Sequence, residues 1–217
     1  MRLKQLLLLV ALTVGTVQAA SAQTQTFRFL SGGTVTAFGY YVGPYTGATG
    51  ENFAERITLN CVDFFHQIRV GQTWTANVTR LGTGSLANTR FGGLTNSLAL
   101  YQQAAWLTTR YAGATNYQIG QIQATIWDLF GNATPQAASN YWLTQAQQNY
   151  HSINSKDFVV ITDVNRAYAN SAQEFIAFKP TVTPEPVSMI LLGTGLAGIA
   201  GAARRRMKKN SEERSQV

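Results

Sequence analysis

Ile122-Gln123-Ala124-Thr125-Ile126-Trp127-Asp128-Leu129-Phe130-Gly131 decides how this chain is read. Ile119, Ile122, Ile126 and Phe130 recur at helical spacing and Gly131 supplies a stop, which predicts an amphipathic helix over about 117–130. Gln123 borders that apolar stripe, one turn before Trp127. Just upstream, Leu100, Ala104, Leu107 and Tyr111 form a second stripe, predicting a helix over about 97–111 that Gly113 ends. A third helix is expected from Pro135 or Gln136 to Tyr150, with Thr134 as its cap and the proline in the first turn, where it is tolerated.

On either side of this helical stretch the period changes to two. Phe27 and Phe29, then Val35 and Ala37, flank Gly32-Gly33 and suggest two strands joined by a tight turn. Tyr40 to Gly47 is expected to break into a Gly/Pro loop carrying three tyrosines, which either bind a ligand or pack back on the sheet. Strands are expected at Ile57 to Phe65 and Thr73 to Val78, then again at Phe158 to Thr162 and Glu174 to Lys179, with a Gly/Ser/Asn loop over 82–93. Ile57, Leu59 and Cys61 share one face of the first of these. No internal repeat is present. The expected class is α+β: an antiparallel β-sandwich or barrel-like sheet with a helical insert of two to three helices, plus a C-terminal transmembrane helix.

Composition narrows the function classes. Of the 217 residues, 45% are hydrophobic and only 12% charged, enough apolar material for a core and about half the usual charge of a soluble domain. The net charge of +7 is concentrated at the ends. Residues 23–180 hold nine bases against seven acids, so the basic stripe of a nucleic-acid binder is missing and no nucleic-acid partner is expected.

The ends carry an address. Arg2 and Lys4, the apolar run Leu6 to Val17 and the small-residue triplet Ala20-Ser21-Ala22 have the three-part form of a secretory signal over 1–22, implying export by the Sec machinery. At the other end, Pro184-Glu185-Pro186 precedes an uncharged apolar segment, Val187 to Ala203. Arg204-Arg205-Arg206 follows as a basic stop, with Lys208 and Lys209 beyond it. A Pro-broken linker, a segment of near-spanning length and a basic cluster kept cytoplasmic form a membrane-delivery unit. This tail resembles the PEP-CTERM sorting signal of Gram-negative bacteria over residues 181–209, followed by a polar tail, 210–217, longer than usual. The resemblance implies recognition by an exosortase, transient anchoring in the inner membrane, processing near the Pro-Glu-Pro motif, and release to the cell surface or extracellular matrix.

Residues 23–180 hold the candidate chemistry. Cys61, in Leu59-Asn60-Cys61-Val62-Asp63, is the only cysteine, so an intramolecular disulfide is ruled out. A cysteine sulfur and a glutamine carboxamide in apolar surroundings are the two halves of an internal thioester, which survives only where water is excluded. Trp127 and Ile57 could supply that exclusion. Asp63 and His66 are the nearest titratable groups and candidate members of the pocket. The opposing reading takes Cys61 as a small buried hydrophobe and Gln123 as an ordinary helix residue.

The stretch from Cys61 to Phe130 resembles the thioester domains of bacterial surface adhesins, in which a cysteine on a strand meets the Gln of a Φ-Q-x-x-Φ-W motif on a later helix. The matching residues are Cys61 and Ile122-Gln123-Ala124-Thr125-Ile126-Trp127. Asn60 stands where that family favours an aromatic residue or leucine. The resemblance implies single-turnover covalent attachment to an amine- or hydroxyl-bearing surface polymer. The alternative is a non-reactive structural or biofilm-matrix protein with the same address.

Other chemistries are poorly supported. His66 and His151 with one cysteine make a weak metal set, no Ser/Thr elbow accompanies Asp63 and His66, and no phosphate-binding glycine loop opens a helix. The expectation is of no conventional enzyme, metal or cofactor.

Overall fold

The computed structural model describes residues 23–132 and 139–179. The signal segment, the Thr134 cap with Pro135 and Gln136, the Pro184-Glu185-Pro186 motif, the apolar segment and Arg204-Arg205-Arg206 lie outside those residues. In chain order the elements are β1 (Gln23–Ser31), β2 (Thr36–Ala37), β3 (Tyr40–Tyr41), β4 (Tyr45–Thr49), β5 (Glu55–Cys61) and β6 (Thr73–Arg80). Three helices follow, α1 (Ser97–Thr108), α2 (Asn116–Leu129) and α3 (Asn140–Asn149), and the chain returns to strands in β7 (Phe158–Asp163) and β8 (Phe175–Phe178).

Six strands close into an antiparallel barrel in the order β1-β4-β5-β8-β7-β6. The fold is therefore α+β, and of sandwich and barrel it is the barrel. Alternation explains the strands: in β1 Phe27 and Phe29 are buried while Thr26 and Arg28 are exposed, and in β6 Trp74 and Ala76 are buried between exposed Thr73 and Thr75. Phe27 stacks on Trp74 at 5.5 Å, and Phe175 lies within 6.4 Å of Phe29, Tyr45 and Trp74, so four strands contribute to one aromatic core. All six residues of β7 are buried, which accounts for its unbroken apolar run Phe158 to Ile161.

Two readings of the N-terminal strands need correction. β1 does not turn at Gly32-Gly33 to pair with Val35 and Ala37. It pairs with β4 on one side and β6 on the other. Ala37 belongs to a separate two-stranded ribbon, β2–β3, with Val35 just before it, and the two turn residues Phe38 and Gly39 both have positive φ. The second correction is β4 itself, which falls in the stretch expected to be loop. Gly47 suggested a turn, but it is there for close approach: a Cβ on it would sit 2.6 Å from Leu59 Cδ1 on the paired strand.

α1 and α2 lie near their expected positions, with one shift of face, whereas α3 starts at Asn140 after Ser139 rather than at Pro135 or Gln136. α1 buries Tyr101 and Gln103 to Leu107, whereas Leu100 is only half-buried, so that helix is enclosed round most of its girth rather than along one stripe. α2 starts with a capping box in which Thr115 Oγ1 accepts from Gln118 N and Gln118 Oε1 accepts from Thr115 N. Ile119 to Trp127 then include eight buried positions, counting Gly120 and omitting only Gln121. Among the described residues, no helix is long and apolar enough to cross a membrane.

Candidate functional site

β5 ends on Cys61, and α2 presents Gln123 to it. Both side chains are fully buried. Gln123 is thus inside the core rather than at the border of the helix's apolar face, and it stays there because every polar atom of its carboxamide is met. Nε2 donates to the main-chain oxygen of Cys61 at 2.8 Å, and Oε1 accepts from Tyr111 Oη at 2.9 Å and, more weakly, from Gly43 N at 3.4 Å. The Gln123 carboxamide thus reaches the backbone of Cys61, 62 positions away, and both side chains are buried.

Each donor to Oε1 is placed by a specific piece of the fold. Tyr111 follows α1 in the turn before α2, buried against the strand end. Gly43 has φ +93° and a Cβ there would lie 2.7 Å from Ile119 Cγ2, so only glycine lets this backbone N–H approach α2. Asn132 locks the opposite end: its Nδ2 donates to Trp127 O at 2.8 Å and to Val62 O at 3.3 Å, tying the end of α2 to the residue after Cys61. Asn60, the departure from the adhesin pattern, donates from Nδ2 to Ile176 O at 3.1 Å and pins β5 to β8 beside the cysteine.

The sulfur sits in a dry, electronegative setting. Cys61 Sγ donates to Asp63 O at 3.2 Å. Burial above all pushes the thiol up to about 12, helped by the negative charge of Asp63 and Glu174. The Trp127 indole opposes that shift from alongside the sulfur, and its Nε1 has no nitrogen or oxygen partner. Trp127 is sealed by Phe64 at 5.0 Å and Tyr40 at 6.4 Å. Burial also raises the phenols of Tyr111 and Tyr45, with the nearby cysteine adding to the effect, so both are held as neutral O–H groups.

Asp63 and His66 are tied to each other and to Arg90. His66 Nδ1 lies 2.8 Å from Asp63 Oδ2, and its Nε2 faces Arg90 Nη1 at 3.2 Å, so both ring nitrogens are occupied and neither is left to act on the thiol. Asp63 touches the thiol through its main-chain oxygen, while its carboxylate pairs with Arg90 Nε at 2.8 Å and accepts from the amides of Phe65 and His66.

Behind this lies a buried acid that the sequence reading passed over. Glu174 accepts from Arg90 N at 2.6 Å, from Thr162 Oγ1 at 2.5 Å and from the Tyr101 hydroxyl. Burial raises its carboxyl to about 7 despite those donors. Its main-chain oxygen receives Val62 N at 3.0 Å. Among the described residues, no group of three or more His, Cys, Asp or Glu is placed to hold a metal ion.

The fold and site together define an antiparallel barrel with an inserted helical layer that encloses one Cys–Gln pair. Compared with known proteins, the chain matches no family model, no curated protein and no solved structure.

Proposed function

We propose that this chain is an exported surface protein, sorted through its Pro-Glu-Pro tail by an exosortase, in which Cys61 and Gln123 condense to an internal thioester for covalent attachment. The observation that carries the reactive part is the hydrogen bonding of Gln123: two donors converge on Oε1 inside a pocket with no water access. When Sγ attacks Cδ, negative charge develops on Oε1, where Tyr111 O–H and Gly43 N–H already point. The C–S bond forms, the C–N bond breaks, the thiol proton passes to Nε2, and ammonia leaves. No external oxidant or base is consumed. An incoming amine or hydroxyl then attacks the same carbon, restoring the thiol and leaving the acceptor joined to residue 123.

The intact mass of the protein tests this. A deficit of one ammonia is expected in the wild type and absent from Cys61→Ala and Gln123→Ala. An unmodified mass, with Cys61 alkylated in full after denaturation, would overturn the proposal. Delivery is tested separately: replacing Pro184-Glu185-Pro186 by alanines should trap uncleaved protein in the inner membrane, and unchanged processing would remove the sorting assignment.

One observation favours the second reading, a non-reactive matrix protein with the same address. The thiol is protonated at neutral pH and donates to Asp63 O, while the Gln123 carboxamide bridges α2, β5 and the Gly43 loop. The same bonds would serve as a structural brace, and the mass measurement separates the two.

A further inference from the structure

Beside the Cys–Gln pocket lies an open cleft of about 470 Å³, within the roughly 300–1,000 Å³ usual for small-ligand sites. Its walls come from the end of β1, the β2–β3 ribbon and the segment after β5. They include Tyr40, Tyr41, Phe64, Gln67 and Gln173, and no charged side chain lines it. We infer that this cleft binds neutral sugar rings, and that a bound sugar hydroxyl reaches the acyl group at residue 123 when the one layer of side chains between them moves aside.

Three features point to that ligand class. First, the aromatic wall is built in advance. Tyr41 is 59% exposed, yet its ring lies against the bare backbone of Gly32, where a Cβ would come within 3.1 Å of the Tyr41 Cγ. Tyr40 is held edge-on by Phe64 at 4.9 Å. Aromatic faces fixed at a solvent-open cleft suit the flat C–H faces of pyranose rings, because little side-chain freedom remains to be lost on binding. Second, Gln67 and Gln173 line the cleft, and each side-chain amide offers a donor and an acceptor to hydroxyl groups. Third, an uncharged lining gives no counter-charge for a lysine ammonium, a phosphate or a carboxylate.

Position supplies the link to the chemistry. Phe64 lines the cleft with one side of its ring environment and packs on Trp127 with the other, and Trp127 lies beside the Cys61 sulfur. Tyr45 also lines the cleft and lies close enough to Cys61 and Tyr111 for its phenol to feel both. One layer of side chains thus separates the sugar site from the reactive pair. In the transfer step the hydroxyl oxygen bonds to the acyl carbon, the C–S bond breaks, and the hydroxyl proton ends on Cys61. This covalent step rests on the thioester reading; the binding step does not.

The test uses the full-length chain in detergent. Titration calorimetry with cellotetraose, maltotetraose and an N-acetylglucosamine tetramer is run in the Cys61→Ala background, where no thioester can form. At least one tetrasaccharide is expected to bind, and Tyr41→Ala in that background should weaken it by about tenfold or more. Failure of all three to bind, or an unchanged affinity in Tyr41→Ala, overturns the inference whether or not the wild type has lost ammonia. The acceptor role is read next, by incubating wild type with the bound sugar and weighing it. Addition of one intact tetrasaccharide supports the role. Binding without addition, in wild type whose mass shows the ammonia deficit and which reacts with methylamine, overturns it. A wild type lacking the deficit overturns the thioester and the transfer while leaving the sugar site standing.

Discussion

Tyr111→Phe isolates the part of the site that does electrostatic work. The substitution keeps the ring, which is buried, and removes only the hydroxyl that donates to Gln123 Oε1 at 2.9 Å. The remaining donor, Gly43 N, is 3.4 Å away, at the outer limit of a useful hydrogen bond. In a buried site, removing one of two oxyanion donors typically costs about 100-fold or more in rate, equivalent to about 2.7 kcal/mol. Stability should fall by less, about 1–2 kcal/mol, because a neutral amide oxygen loses one of two partners. The chain is made by cell-free synthesis, so that every molecule begins with an intact Gln123, and intact mass is sampled over time. Wild type should acquire the ammonia deficit about 100 times faster than Tyr111→Phe, while urea denaturation shows both folded. If Tyr111→Phe condenses at the wild-type rate, the convergence on Oε1 is a structural coincidence and the oxyanion argument fails.

Two further predictions concern the scaffold. Glu174 holds its proton in the folded state up to about pH 7, against an ordinary value of 4.5, so the folded chain binds more protons than the unfolded chain between those limits. Its contribution to stability is complete below pH 4.5 and is lost as pH rises to 7, by about 3 kcal/mol; urea midpoints across that range should show the slope in wild type and a flatter profile in Glu174→Gln, and parallel profiles would refute the assignment. Gly47→Ala should destabilise the barrel by about 1–3 kcal/mol, since the new methyl meets Leu59 at 2.6 Å, and in the same denaturation measurement the double variant with Leu59→Ala should lose less than the sum of the two single variants.

The legible parts of the fold were those in which one signal ruled. Period-two runs such as Phe27/Phe29 and Trp74/Ala76 marked strands because one face of each meets the barrel core. α2 was legible from its isoleucines and its Gly131 stop. β4 was not, because Gly43, Pro44 and Gly47 cluster there, and only the paired Leu59 shows that Gly47 clears space rather than turns the chain. At the site, Cys61 and Gln123 were readable as residue types, but Tyr111 and Gly43 were not. Tyr111 counted as one more apolar position on a helical stripe, and its hydroxyl gained a role only when α1 and α2 folded back on each other. A signal for Gly43 did exist: a glycine directly before proline in a tyrosine-rich loop implies an unusual backbone. What it could not convey was that the opposite wall would be Ile119.

The polar cluster behind the cysteine explains why the pair can be held at all. Cys61 is the last residue of β5, and a strand end carrying a reactive side chain would ordinarily fray into the following loop. Here the next residues are fixed from both directions: Val62 is bonded through its N–H to Glu174 O and through its carbonyl to Asn132, and Asp63 is clamped by Arg90. Arg90 in turn spends its remaining donors on Arg166 O, Ser171 Oγ and Ala172 O, in the segment that leads into β8. One buried guanidinium thereby joins the loop after β5, the loop before α1 and the approach to β8, at the cost of desolvating two opposite charges that must stay paired. A looser set of apolar contacts could bury the same area. It would not fix the Cys61 backbone and the Gln123 carboxamide as closely, which the proposed attack on an amide requires.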